Sequence, residues 1–111
     1  MKKIIFTMAL ALFPLVSKAN SCNAHGCVST IENLYTTADG LIYIGTPADE
    51  KLVNCTAVSN VYLTLNPDSK NAKEVYSSLL AAYISKKKIQ LRVKEGSTKC
   101  ELAYVNLDVR H

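Results

Sequence analysis

Residues 66–93, NPDSKNAKEVYSSLLAAYISKKKIQLRV, change from one periodicity to another without a break. Apolar residues recur at Ala72, Val75, Tyr76, Leu79, Leu80 and Tyr83, the spacing of one helical face. Lys70, Lys73, Glu74, Ser77 and Ser78 fall mostly on the other side. Asn66 is a good N-cap type, and Pro67 suits the first helical position, where its missing N–H costs nothing. Asp68 then meets the positive end of the helix dipole. Ser69 and Asn71 are alternative caps, which leaves the start open over a few residues. Lys86, Lys87 and Lys88 suit a helix C-terminus, where cations meet the negative end. From Ile89 the period is two: Ile89, Leu91 and Val93 alternate with Gln90, Arg92 and Lys94. The stretch therefore predicts an amphipathic helix that feeds directly into a strand with one buried and one wet face.

Strand patterns lie on both sides of it. Val28 to Thr36 reads as a first strand whose imperfect alternation (Val28, Ile31, Leu34) calls for a bulge or strong bend. Asp39-Gly40 is a hairpin signal, followed by a short second strand, Leu41 to Gly45. Thr46 to Asn54 reads as a loop. Val58 to Leu65 is a third strand with Val61, Leu63 and Leu65 on one face. Beyond the helix come Lys88 to Lys94, a turn at Glu95-Gly96-Ser97-Thr98, and a fifth strand, Leu102 to Val109, with Ala103, Val105, Leu107 and Val109 facing one way. The fold class is mainly β with one helix, in the order β-β-β-α-β-β. That is the order of an OB-fold-like five-stranded barrel. A sandwich with one helix and an open α+β sheet fit the same order.

The chain has 111 residues, enough for one domain. Met1-Lys2-Lys3, the apolar run Ile4 to Val16 and Ser17-Lys18-Ala19 read as a bacterial-type signal peptide, residues 1–19. The run is too short to span a membrane and Pro14 interrupts it. Residues 20–111 are then one domain in a protein exported to the periplasm or secreted. Thirteen basic residues less Lys2, Lys3 and Lys18 leave ten, against nine acidic ones, a net charge of +1. That balance gives a nucleic-acid or membrane-surface role no support.

All four cysteines, Cys22, Cys27, Cys55 and Cys100, fall in the exported part. An even count in a small exported domain implies disulfides. Of three possible pairings the reading chosen is Cys22–Cys27, closing a tight local loop, with Cys55–Cys100, tying the chain before the helix to the chain after it.

Chemistry-bearing residues are few. His25 and His111 are the only histidines, one in the cysteine loop and one at residue 111. Neither promises the packed surroundings a nucleophilic triad needs. Asp49-Glu50 side by side in a charged loop reads as solvated rather than as an acid/base pair. No enzyme activity and no cofactor are expected. Cys22, His25 and Cys27 are metal-ligand types within six residues, but in an oxidising compartment the two cysteines should pair, so no metal is expected. Lys86-Lys87-Lys88 reads as a solvated helix end, with an anionic ligand as the alternative. Tyr35, Tyr43, Tyr62 and Tyr104 lie on predicted strands, and Tyr62 and Tyr104 point to the wet side. These two are the ligand-binding candidates, able to stack on a sugar or a partner; ordinary packing explains them equally well.

A cysteine before the third strand, Asn66-Pro67, the run YSSLLAAY from Tyr76 to Tyr83, Lys87-Lys88-Ile89 opening a strand and a cysteine after it together resemble the small exported proteins similar to the B subunit of subtilase cytotoxin. The resemblance covers Leu41 to Val109. It implies an OB-fold with a Cys55–Cys100 bridge and a non-catalytic binding module. It also implies as partners a cell-surface glycan, a secreted enzymatic subunit and further copies of the chain in a homo-oligomer. No glycan-contacting residue carries over by position, and the Cys22–Cys27 loop has no place in that pattern. A periplasmic accessory or structural protein that binds another protein is the alternative.

Overall fold

The computed structural model describes residues 19–111. The leader read from residues 1–19 lies, Ala19 apart, outside the described residues. The described chain is mainly β with one α-helix: β1 (Ser21–Asn23), β2 (Gly26–Ser29), β3 (Asn33–Thr36), β4 (Ile42–Gly45), β5 (Tyr62–Leu65), α1 (Ala72–Ser85), β6 (Ile89–Val93) and β7 (Leu102–Asn106). A 3-10 turn, Glu50–Leu52, follows β4. The strands form two antiparallel sheets, β1-β2-β6-β7 and β3-β4-β5, and among the described residues they do not close into a barrel.

This corrects the expected order, because five strands precede the helix rather than three. The predicted first strand is two strands in different sheets. At the junction Ser29 and Ile31 are both buried, which an extended strand with period two allows, but the backbone bends at Glu32. The Thr30 N–H leaves the ladder and donates to Asn20 Oδ1 at 3.1 Å. Glu32 N–H then donates to the Gly45 carbonyl at 2.9 Å and opens the second sheet. The additional strand is β1, which pairs back on β2 with Cys22 opposite Cys27. The sheets meet a second time where Thr64 of β5 bridges Glu101 in parallel, with Thr64 N–H donating to the Cys100 carbonyl at 3.0 Å.

The inner faces supply the core: Ile44, Leu63 and Leu65 from one sheet, Ile89, Leu91 and Val93 from the other, with Leu79 and Ala82 of α1 between them. Each such leucine or isoleucine contributes about 1.5–3 kcal/mol by leaving water. The helix starts later than Asn66. The Asn66 side chain accepts from Asp68 N–H at 2.9 Å and its carbonyl accepts from Ser69 N–H at 3.0 Å, which makes a turn rather than a cap. Asn71 precedes the first helical residue and makes no side-chain capping bond. Lys86 ends the helix in the left-handed region, φ 56°, and redirects the chain into β6. The buried stripe of α1 is narrower than its periodicity suggests, since Leu80 and Tyr83 are exposed along with Ile84.

Two further strands are shorter than expected. Ser59 and Asn60, with φ 53° and 64°, turn the chain before β5, so Val61 is exposed instead of inward. In the last strand a register shift beside Arg92 and Val93 sets Leu102 opposite Val93 and Tyr104 opposite Arg92. Leu102, not Ala103, faces the core, and Leu107 and Val109 lie beyond the strand and exposed. The structure joins Cys22 to Cys27 and Cys55 to Cys100, the pairing read from the sequence. Among the described residues no helix is long and apolar enough to cross a membrane.

Candidate functional site

The sheet β3-β4-β5 turns Leu34, Ile42, Ile44, Leu63 and Leu65 to the core, so period two turns Asn33, Tyr35, Tyr43, Gly45, Tyr62 and Thr64 outward. Register arranges these six in two rows: Tyr35–Tyr43–Thr64 and Asn33–Gly45–Tyr62. Three rings meet as a result. Tyr35 and Tyr43 stack with centroids 4.8 Å apart and planes 14° apart. Tyr62 stands edge-on to both, 5.5 Å from Tyr35 and 5.8 Å from Tyr43. Such pairs add about 0.5–1.5 kcal/mol beyond their buried area.

Gly45 makes the arrangement possible. A Cβ there would sit 3.3 Å from Asn33 Cβ and 3.4 Å from Tyr62 Cε1, so the missing side chain is the space the Tyr62 ring occupies. Asn33 Nδ2 approaches the Tyr62 hydroxyl at 3.5 Å, the outer limit of a hydrogen bond. On the other flank Thr64 is fully buried and donates its hydroxyl to the Lys99 carbonyl at 2.8 Å, which ends the aromatic surface there. The Val58–Tyr62 bridge, two backbone bonds of 3.0 Å, anchors the base of Tyr62. Tyr35 is 38% exposed and forms the rim. Its hydroxyl is pushed above the ordinary phenol range by loss of water around it, then by the phenol groups of Tyr62 and Tyr43. What remains is a face of ring surface edged by hydroxyls and one amide. It suits a flat, partly apolar ligand that also carries hydroxyl groups.

Of the two ligand-binding candidates, Tyr62 belongs to this cluster and Tyr104 does not. Tyr104 is 46% exposed on the outer face of the other sheet, in register with Arg92. Tyr35 and Tyr43 were not singled out by sequence reasoning. The hairpin at Asp39-Gly40 holds the signal: with the turn closed by Thr37 N–H to the Leu41 carbonyl, counting back along both strands puts Tyr35 opposite Tyr43.

The other chemistry-bearing residues lie elsewhere. Glu50 is not solvated. It is 3% exposed and accepts from the Thr46 N–H (3.2 Å) and hydroxyl (2.7 Å). Asp49 accepts from Lys51 N–H at 3.1 Å and caps the 3-10 turn. Both act as local struts. Because Cys22 and Cys27 are bonded to each other, they offer no thiolate beside His25. Among the described residues no three His, Cys, Asp or Glu side chains cluster as a metal site. His25 is exposed, with Nδ1 3.5 Å from Glu95 Oε1. Lys86 and Lys87 are exposed past the helix end. Compared with known protein families, curated proteins and solved structures, the chain matches none.

Proposed function

We propose that the protein is a non-catalytic, exported binding module that holds a glycan against the Tyr35–Tyr43–Tyr62 face, in the manner of the toxin B subunits its sequence resembles. The observation that carries the reading is the stacked trio, with two rings 4.8 Å apart and a third edge-on. A sugar ring has one apolar face of C–H groups and a rim of hydroxyls, which matches a ring surface edged by phenol oxygens and the Asn33 amide. Export is supported by the leader pattern and by two disulfides in a small domain. The OB arrangement is supported by the strand circuit: β3-β4-β5, the parallel bridge from Thr64 to Glu101, β7-β6-β2, and the bend that returns β2 to β3, with α1 between β5 and β6.

The second reading, an accessory protein that binds another protein, rests on a different observation. Leu80, Tyr83 and Ile84 form an exposed apolar flank on α1, beside a groove lined by Ile31 and Pro47. A secreted enzymatic subunit or a further copy of the chain is the partner such a flank suits.

A glycan array probed with the oxidised exported chain, followed by titration of the best sugar, tests the first reading. Tyr43→Ala should weaken that binding about fivefold to tenfold, the worth of one stacking contact. An array with no binder, or a Tyr43→Ala chain that binds as the parent does, would leave the accessory reading in front.

A further inference from the structure

The outer face of the four-stranded sheet contains a feature the tyrosine face does not explain. Register places Asn23, Gly26, Arg92 and Tyr104 in one row and Ser21, Val28, Gln90 and Asn106 in the next. Gly26 presents only backbone in its row, and a gap lies beside it between Asn23 and Arg92. The gap is a notch of about 120 Å³, roughly four waters' worth of space. Ser21, Asn23, His25, Gln90 and Arg92 line it.

These side chains bring donors. The Asn23 Oδ1 is taken by the His25 N–H at 2.9 Å, so Asn23 offers the notch its NH₂. Ser21 brings a hydroxyl and Gln90 an amide. Arg92 brings five N–H groups. Its side chain is 33% exposed, and among the described residues its one ionic contact is Glu95 Oε2, 4.0 Å from Nη2. That distance is beyond a hydrogen bond, so among the described residues no side chain occupies the guanidinium fork. Glu95 is held to the side by its other oxygen, which lies 3.4 Å from Asn54 Nδ2 and 3.5 Å from His25 Nδ1. A half-buried arginine with an open fork, beside a donor-lined gap of small volume, matches an oxyanion in shape and charge.

We propose that the notch between Asn23 and Arg92 is a binding site for a small oxyanion group, a carboxylate or a sulfate carried by a ligand. Arg92 grips two oxygens with its fork, and Asn23, Gln90 and Ser21 donate to the rest. The Glu95 carboxylate at the rim repels a second negative charge, so a monoanion is preferred over a dianion. The site is separate from the tyrosine face and stands whether or not that face takes a sugar.

Amide NMR of the oxidised exported chain tests it, with acetate, methyl sulfate and sulfate as separate arms and chloride making up equal ionic strength. The expected result is saturable shifts at Gly26, Gln90 and Arg92, stronger for a monoanion than for sulfate. Whichever of acetate and methyl sulfate binds more tightly identifies the natural group as carboxylate or sulfate ester. Arg92→Gln should weaken the response about tenfold, the loss of one charge-assisted bond pair. Lys87→Gln, which removes the same charge from the helix end, should leave it unchanged, and so should Tyr43→Ala. Shifts that never saturate, shifts centred on Lys86–Lys88, or an Arg92→Gln chain that responds like the parent would overturn the proposal. The shift map of the parent chain decides even where Arg92→Gln folds poorly.

Discussion

The two sheets turn the same kind of aliphatic layer inward and opposite chemistries outward. On β3-β4-β5 the outward rows hold three tyrosines in mutual contact. On β1-β2-β6-β7 they hold Arg92, Gln90 and Asn23 around a gap, with Tyr104 paired to Arg92 in the same row. Each sheet has one glycine in an outward row, and the two glycines serve different ends. Gly45 makes room above its sheet, for a ring. Gly26 makes room within its sheet, because β6 runs so close that a Cβ would lie 1.9 Å from the Leu91 carbonyl oxygen. The first glycine belongs to a surface and the second to the fold. Burial constrains the inner layers of both sheets alike, whereas the outer layers are free to differ with what they meet.

The largest effect should come from breaking that contrast at Gly26. The residue has φ 153°, outside the range most side chains adopt, and the obstacle to a side chain is backbone that cannot step aside. Gly26→Ala should cost about 4 kcal/mol or more, a large share of the roughly 5–15 kcal/mol that a domain of this kind has. Gly45→Ala meets only the Asn33 side chain and a tyrosine ring, both of which can give. It should cost about 1 kcal/mol and displace Tyr62. Urea unfolding followed by circular dichroism compares the two. Equal losses would show that Gly45 is as much a part of the fold as Gly26.

The disulfides should separate next. Cys22–Cys27 spans 5 residues and lies wholly within the four-stranded sheet. Cys55–Cys100 spans 45 and fixes the segment that bridges the two sheets, where the Cys100 carbonyl receives the Thr64 N–H. By loop entropy the long bridge contributes about 4 kcal/mol and the short one about 2. Replacing both partners of the long bridge by serine should therefore lower the urea midpoint about twice as far as the same change at Cys22 and Cys27. Equal shifts, or the reverse order, would mean that the join between the sheets is held by hydrogen bonds and core packing instead.

How much of this could be read from residues alone follows from how local each signal is. Ile89 to Val93 alternate buried and half-buried as their pattern says, and Leu79 and Ala82 seat the helix. Those signals lie within one element. The strand order was not readable in the same way, because β1 is three residues long and its identity as a strand depends on pairing with β2. Val28 to Thr36 shows irregular alternation, which signals a bend; that the bend transfers the chain between sheets depends on partners far along the sequence. The turn at Ser59-Asn60 has no glycine to announce its positive φ values. The tyrosine face was half visible. Tyr62 could be placed on a wet face, but its contact with Tyr35 and Tyr43 depends on registers across three strands and on the space at Gly45. The gap at Gly26 left no local trace at all, since an isolated glycine in a short strand has many causes.

The smallest effect sharpens the comparison through the ionisation of Tyr35. Its hydroxyl lies above the ordinary phenol range, first because the neighbouring rings exclude water from it and second because Tyr62 and Tyr43 oppose a further negative charge. An unfolded chain has neither effect, and its tyrosines ionise near pH 10. A phenol whose pKa is raised by folding favours the folded state while it is neutral. That contribution is fully present below the unfolded value and is lost as pH rises through the folded one. Stability should therefore decline on the alkaline side, with a component traceable to this face. Phenol absorbance or tyrosine carbon NMR, titrated through the alkaline range, should show Tyr35 ionising late. Tyr62→Phe removes one opposing charge but leaves the desolvation, so it should bring the Tyr35 midpoint down only part of the way. A Tyr35 that ionises like a free phenol in the parent chain would mean that the three rings do not hold together in solution. The tyrosine face would then be three separate side chains rather than one surface.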